Sequence, residues 1–183
     1  ERCCGKDHML TVVTGINWGD EGKGRVIDLL AEKANDVVRF QGGDNAGHTV
    51  VVGQDKYVMN LLPSGILHPD VVCVLGPGMV IDLEELLHEM DSLREKGISI
   101  TPRNLKISDK ATISMPWHRI QDELEEERLS GSGRAFGSTK RGIAYAYSDK
   151  YRKKTLRIGD LLHLEEPEVQ DRISMILEAK NLE

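Results

Sequence analysis

The chain has 183 residues, a formal net charge of -6 and 39% apolar residues, values that fit one globular domain with a real core. The acidic balance argues against nucleic acid as the main partner, and no apolar stretch approaches the roughly 20 residues of a membrane span. Cys3, Cys4 and Cys73 lack the regular spacing of a disulfide framework. We therefore expect a reducing, cytoplasmic location and no nucleic-acid or membrane partner.

Strand and helix signals alternate in the first part of the chain. Residues 10–14 are short, apolar and β-branched and stop at Gly15, so they predict a buried strand. The next segment with helical spacing of apolar residues is 25–33, which predicts a helix. The predicted strands that follow are residues 37–40, 49–52, 56–62 and 71–75, with a turn at residues 53–55.

The second part of the chain begins with its clearest helix signal. Asp82 is a good N-cap, Glu85 stands three residues later as in a capping box, and Gly97 ends the apolar stripe. The later predictions are a strand at 105–107, a charged helix at 118–129, a glycine- and serine-rich loop at 130–147 and a helix at 167–179. The alternation predicts an α/β fold with a mainly parallel central sheet and flanking helices, similar to P-loop NTPases.

A glycine-rich run, residues 19–24, lies between the first predicted strand and the first predicted helix. Loop N–H groups and a helix N-terminus there form an anion site, and Lys23 adds a positive charge. The run departs from the usual P-loop pattern, because Asn17 replaces the first glycine and Gly24 replaces the hydroxyl residue that holds Mg²⁺. The Asp20 carboxylate is then the candidate Mg²⁺ ligand. The alternative is a plain glycine turn with solvated carboxylates.

A second glycine-rich run, residues 41–49, contains His48. Histidine exchanges protons near neutral pH and stabilises charge on a transferring phosphoryl group. Gly42, Gly43 and Gly47 would let the backbone approach a ligand closely. The alternative for His48 is a loop histidine that hydrogen-bonds to the backbone.

Together these motifs resemble the adenylosuccinate synthetase family. The stretches that carry the resemblance are residues 17–24, 39–49, 62–68 and 141–143, with Tyr147, Asp149, Lys150 and residues 157–161. They occur in order from about residue 10 to residue 162 and are highly specific. Met9 stands just before the first predicted strand, so we expect it to be the natural start and residues 1–8 to be an unstructured leading extension. Residues 9–183 would be the N-terminal part of a single GTP- and IMP-binding α/β domain, truncated relative to the full family fold.

The resemblance implies a GTP-dependent ligase of purine biosynthesis. It would join IMP and L-aspartate to give adenylosuccinate, GDP and phosphate through 6-phosphoryl-IMP. Asp20 would remove the N1 proton of IMP and bind Mg²⁺, with the Gly47 carbonyl as a second metal ligand. His48 would stabilise the transferring group and act as the acid. The family also forms homodimers, and we expect the 183-residue chain alone to be inactive.

Two sets of binding residues come from the same resemblance. The residues expected to line GTP are Gly19, Asp20, Glu21, Gly22, Lys23, Gly24, Arg25, Gly47, His48 and Thr49. The residues expected to meet IMP are Asp20, Glu21, Gly22, Lys23, Asn45, Ala46, Gly47, His48, Thr139 and Lys153. Lys153 stands where the family places a partner-subunit arginine on the IMP phosphate, and it keeps the charge without the bidentate fork.

Two other functions remain compatible with these residues. A different P-loop-like phosphotransferase or a GTPase switch would release phosphate from GTP alone. A chain that only folds, or binds nucleotide weakly, would show no turnover with any substrate.

Overall fold

The structure is a computed structural model that describes residues 9–16, 22–52, 54–131, 133–135 and 137–182. The strands of these residues are β1 (Asp36–Gly42), β2 (His48–Val52), β3 (Asp55–Met59), β4 (Val72–Asp82), β5 (Leu105–Ile107) and β6 (Thr112–Ser114). Their α-helices are α1 (Lys23–Ala31), α2 (Leu83–Glu95), α3 (Pro116–Ser130), α4 (Ile143–Arg152) and α5 (Pro167–Leu182). Two 3₁₀ helices are Ser64–Leu67 and Ile158–His163.

Strand β4 is the centre of a parallel sheet. It lies between β1 and β5, and its last three residues pair with β6. All three pairings are parallel, which confirms the predicted α/β class with a mainly parallel sheet. The hairpin of β2 and β3 is antiparallel and forms a separate two-stranded sheet. No helix of the described residues is long and apolar enough to cross a membrane.

Strand β4 is longer than the predicted strand at residues 71–75, because Gly76 and Gly78 do not end it. A Cβ added to Gly78 would lie 2.3 Å from the Phe40 carbonyl oxygen, and one added to Gly76 would lie 3.1 Å from the Phe40 Cα. These glycines therefore allow β1 to approach β4 closely. The ladder between the two strands shifts register between Arg39 and Gln41.

The predicted strand at residues 10–14 is wrong. These residues form no strand, and the Leu10 and Val12 side chains are 87% and 63% exposed. A β-strand needs a neighbour for its backbone hydrogen bonds, and residues 10–14 pair with none of the described strands. The predicted extension at residues 1–8 lies outside the described residues.

The predicted loop at residues 130–147 is also wrong in its second half, where α4 begins at Ile143. Gly142 precedes the helix with φ of 71°, in the left-handed region that glycine favours. Its N–H donates to the buried Asp122 carboxylate at 2.9 Å, so a partner on α3 supports the start of α4. Strand β6, which pairs with the second half of β4, was not predicted.

A buried carboxylate on α2 fixes the chain segment after β3. Glu89 accepts the backbone N–H groups of residues 60, 61 and 62 at 3.1, 2.9 and 2.9 Å. From the other side, Arg39 donates to the carbonyl oxygens of Asn60 and Leu61. The segment is thus held between an anion and a cation.

Replacing Glu89 by alanine should lower the free energy of unfolding by about 3 kcal/mol, since three buried N–H donors lose their acceptor and Arg39 loses its counter-charge. Urea unfolding measures this loss. The matched control is Glu84→Ala, at an exposed position of the same helix, with an expected change within about 0.5 kcal/mol. Equal small losses in both variants would contradict the prediction.

Candidate functional site

The structure brings the two glycine-rich runs into contact. Gly22, with φ of 76°, is the N-cap of α1, so Lys23, Gly24 and Arg25 form the first turn of that helix. A Cβ added to Gly24 would lie 2.7 Å from the Cβ of His48 and 2.9 Å from its Cγ. Only a residue without a side chain allows α1 to start this close to the imidazole. Gly19, Asp20 and Glu21 lie outside the described residues.

The third motif, residues 62–68, packs on the same helix. The Ser64 hydroxyl donates to the Gly24 carbonyl oxygen at 3.4 Å, and His68 Nε2 lies 3.4 Å from Asp28 Oδ1. Beside α1, a cleft of about 250 Å³ is lined by Arg25, Asp28, Thr49, Val50 and Val51. Two predicted GTP residues, Arg25 and Thr49, therefore border one cleft.

His48 is neutral in this setting. Burial lowers its pKa to about 4, the positive charge of Arg39 acts in the same direction, and Asp28 opposes both. Its Nε2 is buried and has no hydrogen-bond partner among the described residues. The imidazole next to the start of α1 is thus uncharged and keeps one nitrogen available for a ligand.

The depressed pKa of His48 has a consequence for stability. Between pH 6.5 and 4 the unfolded chain binds a proton at this site that the folded chain does not, so folding weakens as the pH falls through that window. Between pH 7 and pH 4.5 the free energy of unfolding should fall in both proteins. In His48→Gln the fall should be about 2 kcal/mol smaller than in the wild type, after a discount for partial exposure. Urea unfolding at both pH values measures this difference.

Other buried titrating groups are common to both proteins and cancel in that comparison. Burial lowers the pKa of His118 and raises the pKa values of Asp44 and Glu89. An NMR titration of the His48 ring gives an independent reading. A pKa near 6.5 in the folded protein would refute the neutral assignment.

The loop between β1 and β2 is held by Arg39 at its start, and its later residues are exposed to solvent. Arg39 Nη2 donates to the Gly43 carbonyl oxygen at 2.7 Å, and a Cβ on Gly43 would lie 2.5 Å from Ile143 Cδ1. The next three residues, Asn45, Ala46 and Gly47, are exposed. These predicted IMP contacts therefore lie on a supported loop with an open outer side.

Tyr147 of α4, which follows the fourth motif (residues 141–143), supports this loop. Its hydroxyl donates to the Gly78 carbonyl oxygen at 2.9 Å and accepts the Gly42 N–H at 2.8 Å. The resemblance included Tyr147 without assigning a role to it. Aromatic residues with a polar end often bridge backbone groups in this way when they are partly buried.

Thr139 lies in the loop that precedes α4 and is exposed. Two carboxylates of α3 hold this loop: Asp122 accepts the Ser138 hydroxyl at 2.6 Å, and Glu126 accepts the Ser138 N–H at 3.1 Å. Both carboxylates were missed in the sequence. The helix is so strongly charged that its sequence suggests full exposure to solvent. The one available signal was that Asp122 and Glu126 are four residues apart and therefore lie on the same side of the helix.

Lys153 is separate from these loops. It is exposed and follows the last residue of α4 with φ of 60°, whereas Gly142 precedes the first. Ten residues of helix separate them, a length of about 15 Å. This placement is compatible with a role for Lys153 outside its own chain's loop cluster.

The donor chemistry fits Mg²⁺, although Asp20 lies outside the described residues. Gly47 is exposed and offers a carbonyl oxygen, the hard ligand type that Mg²⁺ prefers. No group of three or more His, Cys, Asp or Glu side chains in the described part of the chain is placed to hold a metal. Mg²⁺ commonly uses only one or two protein ligands and completes its shell with phosphate oxygens and water.

Comparison with known proteins gives one consistent family. The family model described as adenylosuccinate synthetase matches residues 12–183. The adenylosuccinate synthetase of Syntrophomonas wolfei is 50% identical over 151 residues, which cover 82% of this chain and 34% of that protein. That of Carboxydothermus hydrogenoformans is 50% identical over 174 residues, 94% of this chain and 39% of that protein. The chain thus spans little more than a third of these relatives.

Two solved structures share the fold. Fully ligated adenylosuccinate synthetase from Plasmodium falciparum superposes with a TM-score of 0.79 and 37% identity, over 92% of this chain and 39% of that one. The succinoaminodeoxyadenylate synthetase of cyanophage S-2L, bound to dGMP and to dATP as an energy donor, gives a TM-score of 0.60 and 30% identity. That likeness covers 82% of this chain and 40% of the phage protein.

Proposed function

Because the chain belongs to the adenylosuccinate synthetase family, we propose that the protein is a GTP-dependent ligase that joins IMP and L-aspartate to give adenylosuccinate, GDP and phosphate. The observation that carries the proposal is the contact of Gly24, in the first turn of α1, with His48. This contact places the start of α1, which would bind phosphate, next to His48, which can act on the transferring phosphoryl group.

Two parts of the described structure would contact GTP in different ways. The first turn of α1 offers backbone N–H groups and the positive end of the helix dipole to the phosphates, together with Lys23. His48 offers Nε2 to the γ-phosphoryl group. Since the pKa of His48 is about 4 without ligand, nearby phosphate charge would raise it and favour the protonated form that serves as the acid.

The proposed chemistry addresses two weaknesses of the purine O6, which is a poor nucleophile and a poor leaving group. Asp20 takes the N1 proton of IMP, and O6 then attacks the γ-phosphorus while the bond to the GDP oxygen breaks. The aspartate amine attacks C6, and the O6–C6 bond breaks to release phosphate. Mg²⁺, held by Asp20 and the Gly47 carbonyl, would neutralise charge on the phosphates when bound.

Three further features belong to the proposal. The protein is a homodimer, in which Lys153 reaches the IMP phosphate of the partner subunit. The enzyme works in the cytoplasm. The 183-residue chain by itself makes no adenylosuccinate, and a coupled assay of the purified chain that detects product would refute this point.

The test is an omission assay on a protein of the relatives' full length, followed by the absorbance of adenylosuccinate. Product that requires GTP, IMP and L-aspartate together supports the ligase. Phosphate release from GTP that ignores IMP and aspartate would instead support a GTPase switch. A parallel reaction with dGMP and dATP tests the substrates named for the phage protein, and preference for this pair would overturn the IMP assignment.

A further inference from the structure

A buried carboxylate connects two segments that the proposed function places on IMP. Asp44 directly precedes Asn45 and is 3% exposed. Its Oδ2 accepts hydrogen bonds from Arg119 Nη2 and Arg141 Nη1, each at 3.4 Å. Arg141 follows Thr139 by two residues. The loop before His48 and the loop that carries Thr139 therefore share one anchor.

The two arginines are themselves fixed to the start of α2. Arg119 Nη2 lies 2.8 Å from Asp82 Oδ2, and Arg141 Nη1 lies 3.0 Å from Glu85 Oε2. Asp82 also caps α2, because its Oδ1 accepts the Glu85 N–H at 3.1 Å. The cluster is thus attached to a rigid element, so Asp44 does not simply follow the motion of the loops.

The buried Asp44 carboxylate depends on its two arginine partners. Its side chain is fully buried, and Oδ1 has no hydrogen-bond partner among the described residues. Burial raises the pKa of Asp44, while its own backbone N–H, Arg141 and Arg119 oppose that rise. An ionised carboxylate in this place depends on its two guanidinium partners, since a buried charge without a partner is costly.

We propose that Asp44 is a positioning residue, which through Arg119 and Arg141 holds residues 45–47 and the Thr139 loop at the separation that one IMP molecule requires. The proposal rests on the proposed function. Asp44 does not touch the reacting atoms in it. His48 depends less on this anchor, because β2 pairs it with Met59 of β3 and Gly24 packs against its ring.

The kinetic test uses Asp44→Asn, which keeps the shape and removes the charge, in a protein of the relatives' full length. The KM for IMP should rise on the order of tenfold, while the KM for GTP and kcat stay within about twofold. Arg141→Gln should raise the KM for IMP similarly, and the double variant should add little. The matched control is Arg128→Gln, an exposed arginine of α3 that pairs with Glu125 and should leave all three constants unchanged.

Hydrogen exchange gives a readout that does not need activity. In Asp44→Asn the amides of residues 43–47 and of residues 137–142 should exchange faster together, while those of the β2–β3 hairpin keep their rates. Unchanged exchange would overturn the proposal, and so would faster exchange with an unchanged KM for IMP. Faster linked exchange in Asp44→Asn, together with a wild-type protein that does not turn over IMP, would confirm the anchor and refute the proposed function instead.

Discussion

Replacing Asp20 by alanine is expected to reduce adenylosuccinate formation about a thousandfold or more in a protein of the relatives' full length. In the proposed mechanism this one carboxylate removes the N1 proton and binds Mg²⁺. General-base catalysis alone is worth about a hundred- to ten-thousandfold, and the loss of a metal ligand adds to this effect. Steady-state assays with saturating GTP, IMP and aspartate measure the loss in kcat.

Two further variants separate the roles of Asp20. Asp20→Asn keeps an oxygen ligand of similar size but cannot take a proton, so its activity should also collapse even at high Mg²⁺. Glu32→Gln changes an exposed carboxylate that follows α1, and its kcat should stay within about twofold of the wild type. Asp20→Ala activity above about a tenth of the wild-type value would exclude Asp20 as the base.

The elements that sequence reasoning identified are those specified by local chemistry. Helix α2 shows this best: the Asp82 side chain accepts the Glu85 N–H, and Gly97 after the helix has φ of 84°. N-cap and C-terminal preferences act within a few residues, so the sequence shows them directly. The errors come from long-range contacts. Glycine is typical of turns, yet Gly78 lies within β4, and its missing side chain allows β1 to pack against β4.

The same distinction holds for the candidate site. The two glycine-rich runs could be picked out from the sequence by their composition, and their role in binding phosphate stays a prediction. The charged residues that hold those runs in place could not, since their partners are distant in sequence. Glu89 is an example: it lies on the inward side of α2 between buried Leu86 and Leu93, and only that spacing marked it.

Buried polar contacts among the last three helices show the limit of local reasoning. His118 Nε2 lies 3.0 Å from Asp149 Oδ2, and Lys180 Nζ lies 2.7 Å from the same oxygen. The Met115 N–H donates to His118 Nδ1, which leaves the Nε2 proton to face Asp149. No pattern within any of these helices pairs the three residues. They meet only because α3, α4 and α5 pack together.

Replacing Gly24 by alanine is expected to lower kcat/KM for GTP on the order of a hundredfold without a comparable loss of stability. The new Cβ would lie 2.7 Å from the His48 Cβ, a carbon that cannot rotate away because it is bonded to the backbone of β2. Either the imidazole or the start of α1 must move. Displacements of about 1 Å at a catalytic group commonly cost about a hundredfold in rate.

Stability and activity should separate in this variant. Alanine is preferred over glycine within a helix by about 1 kcal/mol, which offsets part of the steric cost. The matched control is Gly131→Ala after α3, where φ is -61° and the nearest atoms to a new Cβ are 3.7 and 3.9 Å away. It should change neither kcat/KM nor the unfolding midpoint measurably.

A second substitution distinguishes a steric effect from a chemical one. In Gly24→Ala with His48→Gly the clash is relieved, so GTP affinity should return to within about threefold of the wild type while kcat stays low. This outcome assigns the contact to nucleotide placement and the imidazole to phosphoryl transfer. Full recovery of kcat in the double variant would show that His48 has no chemical role, and wild-type kinetics in Gly24→Ala would show that the two runs do not form one site.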